Sequence, residues 1–251
     1  LNSGTIKDAA LNAATLTLPA IGAAGSLAVN KAIVIDTVSP TIAITSTTTG
    51  VSDGSTTSDA TIALTFTTSE STTDFVVGDI TATNGTLSSF TAVSGTSYTA
   101  IFTPTGPGAC TIDVAADKFT DGASNDNTAS DQFNWTFDNV APTVTNVTST
   151  KANGTYSIGE VIGITITFSE VVNVTGTPQI TLETGGTDAV VDYSSGTTTN
   201  TLTFNYTVAA GHTSADLDYV ATSSLVLNSG TIKDAALNAA TLTLPAIGAA
   251  G

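Results

Sequence analysis

Residues 1–25 and residues 227–251 carry the same sequence, LNSGTIKDAALNAATLTLPAIGAAG, letter for letter. The offset is 227 − 1 = 226 residues, so the 251 residues span one period and 25 residues of the next. Shared packing demands produce similar segments, not identical ones of this length. Tandem duplication is the simple origin, and a fixed period of this kind governs how the rest must be read. The expectation is a window onto a longer array, cut in a frame that does not respect module boundaries.

Charge narrows the function. Charged residues make up 10% of the chain, with 21 acidic against 5 basic, a formal charge of −16. Phosphate backbones need Lys and Arg, so nucleic acid is excluded as a partner. Anionic membrane surfaces are disfavoured for the same reason. No apolar run reaches the ~18 residues that a spanning helix requires, so membrane insertion is not expected. At 41% hydrophobic residues the chain is too apolar for a disordered acidic linker. Cys110 is the single cysteine, which rules out an internal disulfide and suits a small buried hydrophobe.

Short runs of alternating polarity, separated by Gly, Asn, Asp and Ser, fill the chain; long amphipathic helical patterns are absent. That is the texture of an all-β fold. Two segments, Asp36–Thr41 (DTVSPT) and Asp138–Thr143 (DNVAPT), share the form D-x-V-x-P-T at a spacing of 138 − 36 = 102 residues. Proline stiffens the chain and interrupts pairing, so each reads as a linker. About 100 residues is the size of one immunoglobulin-like sandwich. The first complete module, 38–139, offers seven strands, at 41–46, 61–68, 75–83, 86–93, 97–103, 109–115 and 132–138. Phe133, Trp135 and Phe137 alternate on the last, with Trp135 as its core anchor. The second module, 140–251, offers strands at 143–149, 161–168, 179–183, 189–193, 201–208 and 217–221, and lacks its last. Residues 1–37 read as the end of a preceding module, with 26–36 (SLAVNKAIVID) as its final strand.

Together the linkers DTVSPT and DNVAPT, the turns FTTSE (66–70) and TFSE (167–170), and the loops FTDGASN (119–125) and TIKDAALN (231–238) resemble tandem bacterial Ig-like domains. Such domains occur in giant repetitive surface proteins and biofilm adhesins. The resemblance implies an extended array of β-sandwiches at a bacterial cell surface, serving as a stalk, filament or adhesin and not as an enzyme. Family loops commonly read D-x-A-G-N; here Ser124 and Leu237 stand where the family has glycine.

In a sandwich whose strands run alternately up and down, three segments share one pole: the entry linker, the loop after the second strand, and the loop before the last strand. In the first module they carry Asp36, Glu70, and Asp121 with Asn125. In the second they carry Asp138, Glu170, and Asp234 with Asn238; the front segment has the matching Asp8 and Asn12. Turn-forming Asp and Asn are at home in such loops without any ligand. Recurrence of the carboxylate triplet in two otherwise dissimilar modules favours Ca²⁺, a hard cation that takes several oxygen ligands. Bound at the junctions, it would relieve carboxylate repulsion and hold the linker angle.

The chemistry of catalysis is scarcely represented. His212 is the sole histidine and is expected in an exposed turn. An adhesive module gripping a glycan or other surface ligand through exposed loops is the alternative function. The expected partner is a neighbouring copy of the same repeat, either by covalent continuation or by donation of strand 26–36 into its incomplete second module.

Overall fold

A computed structural model describes residues 3–248. Two hydrophobic cores form, one within residues 42–137 and one within 144–244. The first module contains β1 (Ile42–Ser46), β2 (Ser55–Thr57), β3 (Ile62–Thr68), β4 (Ile80–Thr83), β5 (Gly85–Ser94), β6 (Ser97–Pro104), β7 (Gly108–Val114) and β8 (Phe133–Phe137). They build two facing four-stranded sheets, β1-β3-β6-β5 and β2-β8-β7-β4. The alternation dictates the layering. Ile62, Leu64 and Phe66 of β3 pair in register with Phe102, Ala100 and Tyr98 of β6, and all six are buried. From the opposite sheet Trp135 lies against Phe102, with ring centroids 4.7 Å apart at 81°. Edge-to-face packing of this kind adds to the large apolar area that each ring removes from water.

The expected strand at 75–83 is shorter than its apolar pattern suggests. Phe75 is buried among other rings, but Val77–Asp79 forms a 3-10 turn capped by Asp79, and pairing begins at Ile80. β2 has no apolar alternation to reveal it. Its sequence is STT, and it runs parallel to β8. Asp53 holds it there, since the carboxylate accepts from both the main-chain and side-chain nitrogens of Asn134, at 2.7 and 2.8 Å.

The second module contains β9 (Val144–Ser149), β10 (Val161–Thr175), β11 (Gln179–Leu182), β12 (Ala189–Ser195), β13 (Thr199–Thr207), β14 (Leu225–Val226) and β15 (Thr231–Lys233). The sheet order is β14-β11-β12-β13-β10-β15, with β9 also on β10. β10 runs seven residues past the expected end at 168. A register shift between Thr167 and Val172 bends it, so its first part pairs with β9 and β13 and its last residues with β15. Bulges redirect a strand in this way.

Two expected strands are absent. Residues 217–221 are apolar enough for one, but meet the end of β11 only through a single bridge, Tyr219 to Leu182, and bend after it. Residues 26–36 are not a strand either. Leu27–Asn30 is one helical turn, and 31–36 has no assigned element. An extended segment needs a neighbour to ladder with. Among the described residues, none of 3–35 hydrogen-bonds to residue 36 or beyond.

The duplicated sequence therefore sits in two environments. Ile6 is 56% exposed and Ile232 1%; Leu18 is 84% exposed and Leu244 2%. The first two residues of the front copy and the last three of the rear copy lie outside the described range. Trp135 is buried as expected, and so is Cys110, whose thiol is pushed up by burial.

Candidate junction sites

Each module is entered through the same set of backbone ties. The D-x-V segment of each linker is an Asx turn: Asp36 Oδ1 accepts from Val38 N–H, and Asp138 Oδ1 from Val140 N–H, both at 3.0 Å. The threonine after each proline is then clamped to a serine, on the bend after β3 in the first module and at the register shift of β10 in the second. Thr41 N–H donates to Ser69 Oγ at 2.9 Å, and Ser69 N–H donates back to the Thr41 carbonyl at 2.9 Å. Thr143 and Ser169 repeat this at 3.0 and 2.8 Å. The glutamate following each serine is thereby set beside the linker aspartate.

The third element is a loop with a local logic of its own. Asp121 Oδ1 accepts from the main-chain N–H of Ala123 and Asn125, and Asn125 Nδ2 donates to Asp121 Oδ2 at 2.8 Å. Asp234 and Asn238 make the same pair of contacts at 2.8 Å. Asp8 and Asn12 make them too, at 2.9 Å, although nothing packs on that copy. The loop geometry is thus written locally, as Asx turns are. In all three loops the residue before the asparagine has positive φ: Leu11 at 68°, Ser124 at 68° and Leu237 at 70°. That is the left-handed region a glycine would occupy without strain.

These elements bring Asp36, Glu70 and Asp121 together, and Asp138, Glu170 and Asp234 together. In each group one carboxylate oxygen per residue lies within 4.8 Å of the others. Asp121 and Asp234 are buried, and the other four are half-buried. Oxygens bound to one Ca²⁺ at roughly 2.3–2.6 Å stand at most about 5 Å apart, so the donor set fits a single hard cation. Asn125 and Asn238 are placed at the sites but turn their amide nitrogens, not their oxygens, to the cluster. Besides its aspartate, Asn125 Nδ2 reaches the Asp36 carbonyl at 3.4 Å, and Asn238 Nδ2 the Asp138 carbonyl at 2.9 Å. They tie loop to linker and do not offer a ligand oxygen from that face. Asp8 and Asn12 pair within their own exposed loop, where Asp8 also accepts from Ala10 N–H, with no second carboxylate beside them among the described residues.

Electrostatics follow the geometry. Loss of hydration, then the charges of Asp36 and Asp121, push the Glu70 carboxyl above its ordinary range. Loss of hydration, then Asp138 and Asp234, do the same to Glu170. Asp121 is held below the ordinary range, first by the Asn125 side chain and then by its N–H. Asp8 is lowered by the matching contacts from Asn12. Like charges gathered this closely favour protonation of one member or the arrival of a cation.

Sequence reasoning passed over Ser69 and Ser169, which position the glutamates. The visible signal was the S-E dipeptide shared by FTTSE and TFSE. It also passed over Ser58, whose hydroxyl donates to the Ala236 carbonyl at 2.9 Å, from the far pole of the first module to the site loop of the second. Asp53 and Asp59, at that same pole, are engaged within the first module, by Asn134 and Thr57. His212 is not a free loop histidine. It is half-buried, and its Nδ1 is 2.8 Å from the Tyr206 hydroxyl.

Residues 36–137 match the family described as Bacterial Ig-like domain. Among solved structures, the adhesin InvE of Yersinia pseudotuberculosis is similar at 20% identity, covering 66% of this chain and 51% of that one, with a TM-score of 0.25. This chain thus spans about half of that structure's length. No curated protein matches. The two-sheet module at 36–137 is an immunoglobulin-like β-sandwich.

Proposed function

We propose that this chain is a repeat of a bacterial cell-surface stalk, filament or adhesin, a non-enzymatic structural part in which Ca²⁺ stiffens the junction at the entry to each module. The observation that carries this reading is the doubled triad. Two modules with different sheet connectivity converge on the same three carboxylates, held by the same serine clamp and the same Asx loop. Each triad joins a linker residue to two segments of the module it enters. A cation there would lock the linker direction relative to the module body, where a bare cluster would push it away.

The Ig-like family match supports a structural or adhesive role, and the lone histidine, engaged by Tyr206, gives no support to catalysis. Among the described residues no helix is long and apolar enough to cross a membrane.

The test is calorimetry and small-angle scattering on a chain of several repeats, with calcium and with chelator. A higher melting temperature and a longer, stiffer particle in calcium are expected. An unchanged melting temperature together with an unchanged maximum dimension would remove the cation from the account.

A further inference from the structure

Asparagine stands directly before glycine at Asn84-Gly85 and at Asn153-Gly154. Such a pair has a chemistry of its own. With no β-carbon on the second residue, the backbone can bring its peptide nitrogen onto the asparagine side-chain carbon. The fold treats the two pairs in opposite ways.

Asn84 is locked. Its Nδ2 donates to the Gly106 carbonyl at 2.8 Å, and its own carbonyl accepts from Thr105 N–H at 3.0 Å. Gly85 opens β5 in register with Pro104. A β-carbon there would stand 2.1 Å from Cζ of the buried Phe102, so this glycine answers to close packing. While the first module is folded, the Asn84 side chain is held away from the Gly85 nitrogen.

Asn153 is not held. It lies in the loop between β9 and β10, at the end of the second module opposite Asp138, Glu170 and Asp234. Residues 151–155 are all exposed and belong to no strand or helix. The loop is pinned on either side of them. Lys151 N–H donates to Ser149 Oγ at 3.1 Å, the Tyr156 hydroxyl donates to the Ala152 carbonyl, and Ser157 N–H donates to Glu160 Oε2 at 2.7 Å. Between these pins, neither the Asn153 side chain nor Gly154 N–H has a hydrogen-bond partner among the described residues.

We propose that Asn153 is a site of spontaneous deamidation in the folded chain, and that Asn84 is not. Hydroxide takes the proton of Gly154 N–H, and the nitrogen attacks Asn153 Cγ. The N–Cγ bond forms, the Cγ–Nδ2 bond breaks, and the departing amide nitrogen takes a proton from water and leaves as ammonia. A second water opens the cyclic imide at one of its two carbonyls. Opening at Cγ gives aspartate; opening at the main-chain carbonyl gives isoaspartate, with the backbone rerouted through the side chain. In sum, one amide and one water become one carboxylic acid and one ammonia, with no oxidant and no second protein. The new acid is ionised at neutral pH. It adds a negative charge to a loop whose Lys151 ammonium stands 4.0 Å from Glu160 and 5.0 Å over the Tyr156 ring. Newly made copies carry the amide and old copies the acid. This inference needs no cation.

The experiment is timed incubation of the 251-residue chain in the warm, native and in denaturant, at neutral and at mildly alkaline pH. It is read by intact mass and by peptide mapping that separates aspartate from isoaspartate. In the native chain the mass gain of NH exchanged for O is expected at Asn153, faster at the higher pH, and within about threefold of its rate in denaturant, because the exposed loop needs no unfolding. At Asn84 the same gain is expected only in denaturant. Gly154→Ala should slow conversion at Asn153 by about tenfold or more, since a β-carbon hinders the attack. That variant keeps the fold, because its β-carbon meets only the Tyr156 ring at 3.7 Å and Gly154 is not left-handed. An Asn153 that keeps its amide in the native chain while converting in denaturant overturns the proposal. So does native conversion of Asn84 as fast as Asn153, or a Gly154→Ala chain that converts at the wild-type rate.

Discussion

The side-chain amide of Asn238 donates to the Asp138 carbonyl at 2.9 Å, across 100 residues of sequence, while the same nitrogen donates to Asp234 at 2.8 Å. One short side chain thus fastens the second module to the linker that enters it. Asn125 is its counterpart in the first module, with a longer reach of 3.4 Å to the Asp36 carbonyl.

Replacing Asn238 with Ala removes both contacts and leaves a buried carboxylate short of a donor. A loss of about 1–2 kcal/mol in second-module stability is expected, from roughly 1 kcal/mol per bond and more where the acceptor is charged. Asn125→Ala should cost less, because its linker bond is weaker. Asn12→Ala should cost nothing measurable, since its loop packs on nothing. The single tryptophan belongs to the first core, so its fluorescence follows Asn125→Ala and hydrogen exchange follows Asn238→Ala. Equal effects at Asn12 and Asn238 would count against the tie.

The pH dependence in chelator has a defined shape. Glu70 and Glu170 have raised carboxyls in the folded state, so the native chain holds their protons more tightly than the unfolded chain. The stability this gives is fully present below the ordinary glutamate value and is lost as pH rises through the raised value. Asp121 is lowered, so its contribution is present above the ordinary aspartate value and is lost as pH falls through the lowered one. Melting temperature should therefore climb as pH drops from neutral towards the ordinary glutamate range, then fall on further acidification. Calcium should flatten the upper limb. In a Glu70→Gln/Glu170→Gln variant the climb should vanish and the calcium response should weaken. A monotonic fall from neutral pH in the wild type would contradict this.

The left-handed residues ahead of each asparagine offer a gain. A β-carbon in that conformation costs about 1–2 kcal/mol, partly recovered in the unfolded state that glycine loosens. Leu237 is exposed, so Leu237→Gly gives up little burial. A net stabilisation of about 0.5–1 kcal/mol is expected there and at Ser124→Gly, read by denaturant midpoint. Leu11→Gly should leave the midpoint unchanged.

Much of this was legible because burial and periodicity agree. β3, β6 and β8 alternate cleanly, and each apolar face found the core. β2 was hidden because a Ser-Thr-Thr edge strand has no apolar face, its position being set by Asp53 and Asn134. At 217–221 the apolar content was real, but it serves a single bridge and a buried Tyr219, whose hydroxyl donates to the Pro245 carbonyl at 2.6 Å, and not a regular ladder. For 26–36 the period was visible and the partner was not, and a strand is a property of the pair. The carboxylates could be picked out from their double occurrence. The serines that aim them read as solvated loop residues, and only the clamp to Thr41 and Thr143 shows otherwise.

The duplicated sequence allows a test in which residue type and local neighbours are held constant. Ile232 is buried in the second core, on β15 where that strand pairs with the bent end of β10, and Ile6 is its letter-for-letter equivalent on the exposed front copy. Ile232→Ala should cost about 2–5 kcal/mol, through lost transfer energy and a cavity the paired strands close only in part. Ile6→Ala should fall within about 0.5 kcal/mol of wild type, as surface changes do. Measured at dilution, where copies are apart, a large effect at Ile6 would mean that the front copy competes for the place of residues 229–248 in the second module. In that case the two identical segments exchange, and the buried one is held by chain connectivity and not by sequence.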